Sequence, residues 1–233
     1  MDDRIRGNLE GVRARIAEAA RRSGRGPDAV RLVAVTKTNP PDRIVPLVEA
    51  GQLDLGENFP QELWRKVEAL SARPEGIRWH LIGHLQSNKA KRTAPMVRLV
   101  HGVDSLKLLR LLDELAADLP GPPGICLQAN CSGEGSKHGW SPGAMLDDAE
   151  AIASCRSIPI VGLMTMAGYG TTDEEARPTF AALRELRDRM RDRTGLELPE
   201  LSMGMSGDFG AAIEEGATLV RVGSALFEGL DPP

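Results

Sequence analysis

No uninterrupted apolar run in this chain approaches the roughly 18 residues that crossing a bilayer requires. The amino terminus, MDDRIRGNLE, also lacks the apolar core of a secretory signal. A basic excess is missing too. The formal charge of −4 counts against a nucleic-acid or membrane-surface role, while leaving room for a small phosphorylated ligand, which needs only a local positive site. Cys126, Cys131 and Cys155 form no CxxC pair and no Cys/His cluster at metal-ligand spacing, so they read as reduced thiols in or near the core, with no metal site. No GxGxxG follows the first strand-like segment and no acidic ribose reader is evident, which disfavours an open dinucleotide-binding sheet. These absences describe a cytoplasmic protein with small-molecule business.

What is present is a repeated alternation of short apolar runs and amphipathic segments. Residues 2–22 place Ile5, Leu9, Val12, Ile16, Ala19 and Ala20 on one helical stripe, so a helix leads. RLVAVTK (31–37) then reads as a strand, and Asp42 opens the helix DRIVPLVEA, ended by Gly51. Strand and helix alternate onward through QLDLG with a helix at 59–72, IRWHLIG with 86–94, RLVHGVD with 105–118, and GICLQANC with 143–155. PIVGLMT with 173–193, ELSMGM with 206–216, and TLVRVG with a short SALFEG helix complete eight units. Strands separated by helices cannot pair as hairpins, so they lie parallel and bury both faces. Eight such units predict an α/β fold, a single (β/α)8 TIM-type barrel over residues 1–233 with an extra N-terminal helix.

Working residues in such barrels sit at the carboxyl ends of the strands. Lys37, one of six lysines, ends the first strand. A lysine buried there would carry a lowered pKa and supply the free amine that attacks an aldehyde, although a snorkelling ammonium is an equally ordinary use of such a position. Gly223 and Ser224 form a turn after the eighth strand, where barrels commonly grip phosphate, and Ser206 in LSMGMSGD has a similar place after the seventh. Each serine can equally be a plain helix cap. Strand alternation puts Val220 and Val222 on one face and Arg221 on the other, toward the lumen. A guanidinium there would donate to a ring nitrogen without surrendering its proton, keeping a bound pyridine unprotonated. Asn58 after strand two and His84 after strand three are further candidates, and the glycine-rich loop 131–140, with Lys137, reads as a lip over the site.

The stretches LVAVTKTNP, LGENFPQE, WHLIGHLQSNKAKR, HGVDS, QANCSGEGSKHG, GLMTMA, LSMGMSGD and VRVGSALFEG, in this order, resemble the YggS/PROSC group of pyridoxal phosphate homeostasis proteins. The resemblance spans nearly the whole chain. It implies a barrel like the N-terminal domain of alanine racemases, with pyridoxal 5′-phosphate held as a Schiff base on Lys37. The cofactor-binding set would comprise Lys37, Asn58, His84, Met203, Ser206, Arg221, Gly223 and Ser224, with phosphate contacts near Ser206, Gly223 and Ser224 and Arg221 at the pyridine nitrogen. It implies homeostasis or delivery of the cofactor, amino-acid and keto-acid balance, no robust catalysis, and cofactor-dependent apoenzymes as recipients. Two other readings stay open: a weak amino-acid racemase, for which the lone Tyr169 is poorly suited as second base, and a Schiff-base aldolase using Asp104. The absence of a β-domain after the barrel leads to the expectation of a monomer, and a second, weaker site at Lys137 is left open.

Overall fold

A computed structural model describes residues 2–71, 76–135, 138–168 and 170–230. Lys137 and Tyr169, singled out above, lie outside the described residues. The leading helix α1 (Asp2–Arg22) buries the expected stripe of Ile5, Leu9, Val12, Ile16, Ala19 and Ala20. It covers the outer layer between two other helices, α2 (Pro41–Glu49) and α9 (Phe209–Glu214).

Eight strands follow: β1 (Arg31–Val35), β2 (Asp54–Glu57), β3 (Arg78–His84), β4 (Leu99–Val103), β5 (Gly124–Gln128), β6 (Ile160–Met164), β7 (Glu200–Ser202) and β8 (Leu219–Val222). They close in sequential order into a parallel barrel, sealed where Val33 pairs with Arg221 and Ala34 with Val222. The remaining helices are α3 (Pro60–Ala69), α4 (Ser87–Thr93), α5 (Leu106–Ala116), α6 (Pro142–Asp147), α7 (Ala149–Ala153) and α8 (Asp173–Thr194). The period-two alternation of each strand sorts side chains between two cores. Val33, Val35, Ile82, Leu99, Cys126, Met164 and Leu219 fill the lumen. Leu32, Ala34, Val220 and Val222 pack outward under the helices.

Several boundaries differ from the sequence reading. Pro40, extended, precedes α2, so Asp42 lies in the first turn rather than opening the helix. The helix expected at 143–155 is two short ones, broken at Asp148, whose carboxylate accepts a bond from Trp140 Nε1. Strand β7 stops at Ser202 because Gly204 takes a left-handed φ of 94°. A side chain there would also collide with Ala212, its Cβ falling 2.7 Å away. Helix α9 begins at Phe209, not at Ser206, and SALFEG supplies only a 3-10 turn, Ser224–Leu226.

Candidate functional site at the carboxyl end of the barrel

A cavity of about 770 Å³ opens at the carboxyl ends of β1, β2, β7 and β8. Lys37, Asn58, Ser206, Arg221, Gly223 and Ser224 all line it. This size suits a small organic ligand. Met203 and His84 do not belong to this wall. Met203 is buried outward under the helices, as alternation from the inward Ser202 requires, and the left-handed turn at Gly204 brings Met205 to the cavity instead. His84 sits exposed on the rim, its Nδ1 2.9 Å from Asp104 Oδ2 and its ring stacked on His138 at 5.2 Å.

Lys37 follows β1 in a turn closed by the Asn39 N–H on Thr36 O at 2.8 Å. The side chain is exposed at the cavity, which decides for the solvent-reaching ammonium over the buried one. Burial falls instead on a second lysine directly beneath. Lys66 Nζ, fully buried on α3, donates to Glu57 Oε1 at 2.7 Å, Thr36 O at 2.9 Å and Lys37 O at 3.1 Å. Thr36 Oγ1 adds a bond to Glu57 Oε1 at 2.5 Å. Burial raises the Glu57 carboxyl, against the lowering influence of Lys66 and Thr36. This pair clamps the backbone that carries Lys37. Sequence reasoning passed over it, yet a signal existed: Lys66 shares the buried α3 stripe with Leu63 and Leu70.

Arg221 is where alternation places it, with its side chain buried in the lumen and its end on the cavity. Its Nη1 donates to Ser202 Oγ at 2.5 Å and its Nη2 to Thr165 O at 3.0 Å. Burial pushes its pKa down to about 10, which leaves the guanidinium protonated at neutral pH. At the next corner the N–H groups of Gly223 and Ala225 converge on Ser206 Oγ, at 3.3 and 3.4 Å. That convergence is a cup of backbone donors closed by a hydroxyl, which an anion would have to displace to reach them. The Ser206 turn is held by Asp208, whose Oδ1 accepts from Met205 N at 2.5 Å. Gly83 lets β3 pass close beneath Asn58, since a Cβ there would lie 2.2 Å from Asn58 O.

Among the described residues no group of His, Cys, Asp and Glu could hold a metal ion, and no helix is long and apolar enough to cross a membrane. Burial drives the Cys126 thiol up and carries Cys131 to about 11, so neither is a ready nucleophile.

Residues 7–231 match the family described as alanine racemase, N-terminal domain. The pyridoxal phosphate homeostasis protein of Pseudomonas aeruginosa is 43% identical over 225 residues, covering 96% of this chain and 95% of its own. That of Aquifex aeolicus is 38% identical, covering 94% and 95%. Among solved structures, PipY of Synechococcus elongatus with PLP bound superposes at a TM-score of 0.84, with 35% identity and coverage of 96% of this chain and 99% of that one.

Proposed function

The chain belongs to the alanine racemase N-terminal-domain family and, within it, to the pyridoxal phosphate homeostasis proteins, and on that premise we propose that it holds pyridoxal 5′-phosphate on Lys37 and releases it to apoenzymes. The observation that carries this reading is the meeting of three chemically distinct groups on one cavity: the Lys37 amine, the Arg221 guanidinium, and the Gly223–Ser224 turn beside Ser206 Oγ. They match, in turn, an aldehyde, a pyridine nitrogen and a phosphate ester.

Bound in this way, the cofactor supplies an aldehyde carbon that bonds reversibly to an amine and a ring that withdraws electrons. Lys37 provides the amine, and its exposure leaves that bond open to water and to competing amines. Arg221 donates an N–H toward the ring and keeps its own proton, so the ring nitrogen stays unprotonated and electron withdrawal stays weak. The Gly223 and Ala225 N–H groups, which donate to Ser206 Oγ, would turn from that hydroxyl to a phosphate, with Ser206 Oγ beside them as donor or acceptor. Asn58 lines the wall beside Lys37. Weak electron withdrawal and an accessible lysine favour storage and delivery over turnover.

The test is transfer. Protein loaded with pyridoxal phosphate and freed of excess cofactor is mixed with an aminotransferase apoenzyme. Recovered activity should approach one cofactor per chain, and Lys37→Ala taken through the same loading should restore little. Equal recovery from both proteins would remove Lys37 from the reading.

A further inference from the structure

The lumen of the barrel contains a line of polar side chains that the proposed binding function leaves unused. Beneath Arg221, Ser202 Oγ lies 2.6 Å from His101 Nδ1, and His101 Nε2 lies 2.9 Å from His80 Nδ1. His80 Nε2 lies 3.0 Å from Asp54 Oδ1. Asp54 also accepts from Arg78, from Nε at 2.8 Å and Nη2 at 2.6 Å. Ser202, His101 and His80 are wholly buried, while Arg78 reaches the surface at the opposite end of the barrel from the cavity. Polar groups are costly in such an interior unless each is satisfied.

Only one arrangement of protons satisfies every link with neutral histidines. The Asp54 carboxyl is held far down by Arg78 and His80, against the opposing pull of burial, so it only accepts. His80 must therefore carry its proton on Nε2 and present Nδ1 as an acceptor. His101 must donate from Nε2 and accept at Nδ1. Ser202 must give its hydrogen to His101, which leaves its oxygen as the acceptor for Arg221. Burial lowers both imidazoles and keeps them neutral. Every donor then points from the guanidinium toward the carboxylate.

We propose that Ser202, His101 and His80 are positioning residues for Arg221: a one-way hydrogen-bond chain anchored on Asp54 fixes the guanidinium at the floor of the cavity as a donor to the ligand's ring nitrogen. This rests on the reading of the cavity as a pyridoxal phosphate site. His101 does not line the cavity, and its hydrogen-bond partners His80 and Ser202 do not line it either. Loss of His101 leaves the Ser202 hydrogen without its acceptor and free to rotate, and the lone pairs that accept from Arg221 turn with it. The ring contact then loosens although Arg221, Lys37 and the phosphate cup are all intact.

The experiment measures the absorbance spectrum and the dissociation constant of pyridoxal phosphate for the full chain, with borohydride trapping and peptide mapping as control. Ser202→Ala and His101→Leu should still trap cofactor on Lys37, with a shifted band. Binding should be weaker by roughly tenfold, the scale of a hydrogen bond to a charged group. Ser202→Thr, which keeps the hydroxyl, should restore both values. Val33→Ala, a lumen substitution outside the chain of bonds, should change neither, which separates positioning from loss of packing. If His101→Leu does not fold, Ser202→Ala and its threonine rescue decide the matter. Unchanged spectra and affinities in the folded variants, or an equal change in Val33→Ala, would overturn the proposal while leaving the cofactor site standing. Wild type that traps nothing on Lys37 would instead overturn the site, and this inference with it.

Discussion

Replacing Lys66 by methionine isolates the clamp beneath Lys37. The substitution preserves the stem of the side chain and removes three bonds, to Glu57 Oε1, Thr36 O and Lys37 O. The Glu57 carboxylate is then left buried with Thr36 Oγ1 as its partner, its Oε2 being already without one. Breaking one side of a buried ion pair costs about 3–5 kcal/mol. The carboxylate can escape part of that by binding a proton. At pH 7 this costs about 1.4 kcal/mol for each unit above its ordinary value of about 4.3, or roughly 3.7 kcal/mol in all. The expected destabilisation is therefore about 4 kcal/mol at pH 7 and about 2 kcal/mol less at pH 5.5. Urea denaturation at both pH values, on cofactor-free protein, reads it directly. Glu57→Leu with Lys66→Met should recover most of the loss, because it removes both charges. A cost below about 1 kcal/mol, or one that does not shrink with acid, would refute the argument that the pair is buried and mutually dependent.

Two further expectations follow from the lumen. His80 and His101 titrate near 6.5 when unfolded and lower when folded, because burial disfavours their charge. Below about pH 6.5 the unfolded chain therefore binds more protons, and stability should fall with acid by up to about 1.4 kcal/mol per pH unit for each histidine. His101→Asn should make that slope shallower in urea titrations between pH 7 and 5.5, and parallel slopes would contradict it. Arg221→Gln should weaken pyridoxal phosphate binding by about tenfold or more and shift the bound spectrum. An identical spectrum would mean that the guanidinium does not face the ring.

Much of this molecule can be read from periodicity. Eight apolar runs, each followed by an amphipathic segment, require a parallel sheet buried on both faces, and their number together with the missing GxGxxG favours the closed barrel over an open sheet. The same alternation aims Arg221 inward, because Val220 and Val222 must face the helices. Alternation from the inward Ser202 also turns Met203 outward, against its place among the candidate ligands, whereas the left-handed Gly204 brings Met205 to the cavity, which no strand rule anticipates. For Lys37 the sequence left burial and exposure both open, and exposure follows from its place two positions beyond the last ladder pair, on a turn. His80 and His101 were legible and overlooked. Each occupies an inward position, between Trp79 and Leu81 and between Val100 and Gly102, but a pair of buried histidines makes sense only once four strands bring Asp54 and Ser202 to them. Contacts between residues far apart in the chain are what local pattern cannot supply.

The central claim is a lysine-bound cofactor at one position. Its most direct test is the absorbance spectrum of the purified protein after incubation with pyridoxal phosphate, before and after borohydride, followed by peptide mass mapping. The account predicts a visible band that borohydride abolishes and a reduced adduct on the peptide carrying Lys37, absent from Lys37→Ala. A protein that binds no pyridoxal phosphate, or an adduct that maps to another lysine while Lys37 stays unmodified, would contradict it.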